Sequence, residues 1–234
     1  MGLSHSPSIV KDGLIMCLDA ANPKSYPGSG TTWTDISGNG NHATFTNLAT
    51  HVSGSHFSFD GVDDYATVDS GLETTIDGLT ELTITGLVNY RFFEHVDNII
   101  GWGNANATGD PATSKTLGFY NHSGTLKACY NSSASFGTSA TMVNKWVFLV
   151  SRYTATNIYA DMFGEATNST SHTLGTNPTW KGIDGQGYSI TIGKTSYFAR
   201  YAECYISQLQ IYNRKLNDIE MEQNFNACRG RFGI

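Results

Sequence analysis

Apolar and polar positions alternate in short runs along nearly the whole chain, and Gly, Asn and Asp separate the runs. A period of two predicts β-strands, and Asn-Gly or Asp-Gly between runs predicts tight turns. Strands are read at residues 13–19, 56–59, 65–68, 82–90, 98–102, 117–120, 125–130, 145–153, 158–162, 188–192 and 204–212. The first carries Leu14, Met16 and Leu18 on one face and Ile15 and Cys17 on the other, the pattern of a strand covered on both sides. Residues 56–59 and 65–68 flank Asp60-Gly61 and read as a hairpin. Between residues 20 and 41 lies a Pro- and Gly-bearing insert, an ordered loop with Trp33 and Ile36 as its apolar anchors. A helix is expected from Asn217, which can cap it, with Glu220 completing a capping box and Ile219, Phe225 and Ala227 forming a weak apolar stripe. The chain divides into an extended arm (1–10), one domain (11–228) and a tail (229–234), with both end segments expected to order on a partner.

Composition narrows the class. Charged residues are 15% of 234, and polarity rests on Ser, Thr, Asn and 25 Gly, as short strands joined by turns require. This length buries a core as one β-sandwich. Net charge is −6 with no run of Lys or Arg, which argues against nucleic acid as a partner. No apolar run is long enough to cross a membrane, and the first residues lack a secretory signal pattern. Cys17, Cys129, Cys204 and Cys228 are scattered without a CxxC pair; the first three sit in strand-like runs, and reduced thiols made in a cytosol are expected, with a Cys17–Cys228 bridge between the chain ends as the lesser alternative.

The order of motifs is more specific than any one of them. A TWTDISGNGNHAT loop is followed by FSFDGVDDYATV, then KWVFLVSRY, then YISQLQIYNRKLNDIEMEQNFNA. Over residues 11–228 this resembles the laminin G-like branch of the concanavalin A-like jelly rolls. The opening HSPSIVKDGLIMCLDAANPKSYPGSGTTWTD and the ending NFNACRGRFGI are similar to stand-alone proteins of that fold in tailed bacteriophages, notably marine and cyanobacterial ones. The resemblance implies an all-β sandwich of two antiparallel sheets with a short C-terminal helix. It further implies a non-enzymatic virion component (a capsid decoration, neck or tail appendage) made in the bacterial host cytoplasm and present in multiple copies. Its partners would be other virion proteins and host-surface glycans.

Candidate chemistry is sparse. Asp60, Asp63 and Asp64 crowd one turn and supply the oxygen ligands that calcium takes. Sugar contacts would use aromatic faces with nearby amides and carboxylates, which points to Trp102 and Asn104 in GWGNAN, and to Trp180, Asp184 and Tyr188 around KGIDGQG. Trp33 and Trp146 read as structural. A stand-alone lectin-like module is the alternative function. A divergent laminarinase-type hydrolase is the other, because Asp218, Glu220 and Glu222 alternate as such enzymes require along a strand. Their context is a capped helix, where Asp218 and Glu222 share a face and Glu220 points away.

Overall fold

The computed structural model describes residues 8–91, 97–102, 117–129, 133–173, 189–195 and 199–234, with Trp102 and Ser139 described in their backbone alone. Strands run in the order β1 (Leu14–Asp19), β2 (Thr32–Trp33), β3 (Ala43–Asn47), β4 (Thr50–Val52), β5 (His56–Asp60), β6 (Tyr65–Val68), β7 (Leu82–Tyr90), β8 (Asp97–Trp102), β9 (Leu117–His122), β10 (Thr125–Cys129), β11 (Ser133–Thr138), β12 (Trp146–Tyr153), β13 (Asn157–Gly164), β14 (Asn168–Thr173), β15 (Thr191–Ile192) and β16 (Glu203–Tyr212). Helices are α1 (Gly71–Ile76), α2 (Ser139–Met142) and α3 (Asp218–Cys228). The strands form two antiparallel sheets, one ordered β14-β13-β12-β7-β16-β5-β4 with β1 also on β16, the other β11-β10-β9-β8-β15-β6-β3-β2. The molecule is therefore an all-β sandwich with a short helix after its last strand.

The first sheet is built around β16. β7 pairs along one side of it, while β5 takes Glu203–Ile206 and β1 takes Gln208–Tyr212 on the other. The register shifts between Ile206 and Gln208. At that shift the Ser207 carbonyl accepts from Ala20 N at 2.8 Å, and its hydroxyl donates to the Ser55 carbonyl at 2.8 Å. One bulged residue thus joins the ends of two strands that share an edge.

β7 is buried at all nine positions because both faces are covered. Ile84, Val88 and Tyr90 belong to the core between the sheets, with Ile99, Ile100 and Phe119. Leu87 belongs to a second apolar layer with Phe148, Val150, Tyr212, Leu216 and Met221, where α3 lies on the outer face of the same sheet. All four cysteines are buried free thiols, and burial pushes Cys17 and Cys228 up to about 12.

Several expectations change. The Asp60–Asp64 turn is not a hairpin: β5 pairs with β4 and β16 in one sheet, and β6 with β3 and β15 in the other. The turn carries the chain from sheet to sheet. The insert is pinned by Trp33, fully buried against Phe57 at 4.8 Å between centroids, but Ile36 is only half-buried. Asp35 does the second anchoring. Its carboxylate accepts from Cys17 N (2.8 Å), Ser37 N (2.8 Å), the Ser37 hydroxyl (2.8 Å) and Asn41 N (3.0 Å). α3 starts as expected, with both halves of the Asn217–Glu220 capping box formed, but Ile219 is 78% exposed and the buried face is Met221, Asn224 and Cys228.

Residues 8–10 and 231–232 of the end segments pack on the domain itself. Val10 N donates to Asn224 Oδ1 at 2.8 Å, and the Ser8 carbonyl accepts from Gln223 at 2.7 Å, so residues 8–10 lie along α3. Arg231 bonds both oxygens of Asp19, and Phe232 stacks on Trp146.

Candidate functional site

Trp102 closes β8 opposite Leu117, with its side chain outside the described residues. Asn104, Trp180, Asp184 and Tyr188 lie outside them entirely. Register still separates two of the expected sites. Gly101 pairs with Thr191, and Thr191 with Thr67. Trp102 lies one residue beyond that line and Asp64 three residues on the other side, so about 13 Å divides them along the strands alone.

In the sheet-to-sheet turn, one ligand oxygen each from Asp60, Asp63 and Asp64 lies within 4.8 Å of the others. Asp60 Oδ1 accepts from Val62 N at 2.8 Å and from Asp63 N at 3.4 Å, and Asp64 Oδ2 accepts from Asp60 N at 3.0 Å. Burial, then repulsion by Asp60 and Asp63, raises the Asp64 carboxyl above its ordinary value, against the bond from Asp60 N. The oxygen-only donor set has the character a hard cation accepts. The same hydrogen bonds also explain the cluster as a self-bonded acidic turn.

A groove of about 850 Å³ opens between α3 and the β13–β14 edge, a position that pattern reading did not select. Arg152 on β12 forms its base. The guanidinium is buried and donates to Asp161 Oδ2 at 2.9 Å and to Asp218 Oδ1 at 2.7 Å, while the Ser169 hydroxyl donates to Asp161 Oδ1 at 2.7 Å. Arg152 is thus held by one buried carboxylate, Asp161, and one exposed carboxylate, Asp218. Phe163 and Phe225 stack at 5.5 Å and 28° to form an apolar wall. Glu222 and Asn226 line the groove from α3, and Thr167 and Asn168 from the strand side. The Asn168 amide is turned the other way, donating to the Phe136 carbonyl of β11 in the opposite sheet at 2.8 Å, since Asn168 pairs with the core residue Met162. The groove thus offers an aromatic wall beside the Asn226 amide, the Ser169 hydroxyl and the Glu222 carboxylate. Its sequence signal was a charge inside each of two apolar strands, Arg152 in WVFLVSRY and Asp161 in NIYADMFG.

The alternating acids Asp218, Glu220 and Glu222 stand on this helix and not on a strand. Asp218 and Glu222 line the groove. Glu220 faces elsewhere, taking Arg214 at 2.7 and 2.9 Å and accepting from Asn217 N at 2.9 Å. The Arg214 hydrogen bonds hold its carboxyl below the ordinary range, which is the reverse of what a general acid needs.

No family model matches the chain, and no curated protein matches it. Solved structures do. Trypanosoma rangeli sialidase in complex with sialic acid aligns with a TM-score of 0.63 at 15% identity, over 96% of this chain and 36% of that one. The binding domain of botulinum neurotoxin DC in complex with SialylT aligns with a TM-score of 0.61 at 14% identity, over 93% of this chain and 52% of that one. The same domain in complex with rat synaptotagmin II gives 0.62 at 15% identity. This chain spans between about a third and a half of those proteins, and at such identities the likeness is one of fold.

Proposed function

We propose that the chain is a non-catalytic saccharide-binding β-sandwich that serves in attachment, with the α3 groove as its binding site. The observation that carries this is the convergence of the Phe163–Phe225 wall with Ser169, Glu222 and Asn226 in one cavity of drug-sized ligand volume. Saccharides expose apolar C–H faces and many hydroxyls, and this lining answers both. Two of the structural neighbours were solved with sialic acid or SialylT bound, which is compatible with the reading. Within it, the motif order shared with tailed-phage jelly rolls makes a virion appendage the setting, with other virion proteins as partners.

A glycan array with the purified protein tests the core of the proposal. Binding should be abolished by Glu222→Ala or Asn226→Ala with the circular dichroism spectrum unchanged. Loss on Trp102→Ala or Trp180→Ala, with the groove variants silent, would move the site to those loops. Binding to no glycan would sink the reading. The virion setting is tested separately: mass spectrometry of purified particles should find the chain in stoichiometric amount, and its absence would exclude that setting.

A further inference from the structure

The same outer face carries a row of rings away from the groove. Register sets Trp146 on β12 opposite Asn89 on β7, and Asn89 opposite Tyr205 on β16. His56 on β5 joins them, 4.6 Å from Tyr205 and 5.4 Å from Trp146 between centroids. The three rings are half-buried. Asn89, between them, is 6% exposed, and its Oδ1 has no hydrogen-bond partner. Leaving a buried acceptor unsatisfied is unfavourable, so such a group calls for an explanation.

Phe232 covers the row. Its ring lies 3.5 Å from Trp146 with 14° between planes, and 6.3 Å from His56. It arrives on the segment Arg229–Arg231 and Phe232, anchored where Arg231 bonds Asp19 at 2.7 and 2.6 Å. A flat ring parallel to the half-buried Trp146 indole occupies the place in which an aromatic platform receives a sugar ring. Arg91 already donates to the Tyr205 hydroxyl, which leaves the Asn89 oxygen as the unused acceptor. A hydroxyl donor suits that oxygen, and a neutral pyranose supplies both the apolar face and the donor.

We propose that Trp146, Tyr205, His56 and Asn89 form a second subsite, for a neutral hexopyranose unit, which Phe232 caps and which opens when the Arg231-anchored segment lifts. This rests on the saccharide-binding reading above but uses a different surface. The test compares wild type with Phe232→Ala on an array of neutral glycans, followed by titration of the best hit by tryptophan fluorescence. Phe232→Ala should bind at least about 10-fold more tightly. Adding Trp146→Ala should cancel the gain, while adding Glu222→Ala should leave it. A folded Phe232→Ala protein with no gain overturns the subsite, and so does a gain lost with Glu222→Ala, which would assign it to the groove. Should Phe232→Ala fail to fold, Arg231→Ala frees the segment with the ring intact, and the same comparison decides. Groove-dependent binding by wild type without any gain in these variants would remove this subsite and leave the groove reading standing.

Discussion

Arg231 bonds both carboxylate oxygens of Asp19 across 212 positions of sequence. Asp19 is 4% exposed, so loss of the guanidinium leaves a buried charge. Ala21 N and the Gln208 amide still donate to it, at 3.0 and 3.1 Å, and soften the loss. Arg231→Ala should lower the unfolding free energy by about 2 kcal/mol, below the full cost of stripping a buried pair. Urea denaturation of Arg231→Ala, Asp19→Ala and the double variant measures the coupling, and an additive cycle would show that the pair contributes none.

Asp97 is the clearest source of pH dependence. It is 2% exposed, its Oδ1 lacks a partner, and Oδ2 accepts from Asn121 only at 3.4 Å. Burial holds its carboxyl well above the usual range. A folded-state pKa above the unfolded one gives stability that is full below the unfolded value, about 3.9, and is lost as pH rises through the folded value. Asp97→Asn removes that loss. The variant's advantage over wild type should grow as pH rises above about 4 in chemical denaturation, and parallel profiles would contradict the assignment.

Asp35→Ala should be among the most damaging single changes in the first quarter of the chain. It strands the four donors that converge on this carboxylate, two of them on buried residues. A loss of about 3 kcal/mol or more follows from several unsatisfied groups at once. Asp35→Asn keeps the oxygen acceptor on one side only, so thermal melts should place it between wild type and the alanine variant.

Gly118 admits no side chain. Its φ is +131°, and a Cβ there would sit 2.1 Å from the Ile100 carbonyl oxygen on the neighbouring strand. Gly118→Ala must push β9 off β8, with an expected cost above about 4 kcal/mol. Soluble yield and the circular dichroism melt report it, and a wild-type melting temperature would refute the contact. Gly40→Ala is the control, since its φ is +77° but nothing lies within 4 Å, and it should cost about 1 kcal/mol.

Strands buried on both faces were legible where apolar residues fall on both alternating faces, as in β7 and β12. The start of α3 was legible because a capping box is local chemistry. β14 was not, since NSTSHT has almost no buried side chain; it is held by Asn168 to the Phe136 carbonyl and by Thr170 to the Ser135 carbonyl. Asp60-Gly61 signals a turn whether the chain folds back within a sheet or passes to another, and only the pairing of β5 and β6 decides. The groove was hidden for a related reason. Arg152 and Asp161 are ordinary in isolation and meet only through the pairing of β12 with β13 and the docking of α3.

The placement of β16 governs the order in which this protein can be made. It is the strand on which β1, β5 and β7 all depend, yet 202 residues precede it, and its pairing with β1 joins Leu14 to Tyr212. On the ribosome, β1 and β5 must wait with unpaired edges until that strand emerges. Such long-range closure slows folding and leaves strand edges open to other chains meanwhile. Nascent chains stalled before residue 203 should therefore be protease-sensitive and chaperone-bound, and protection should appear in one step once residues 203–228 clear the exit tunnel.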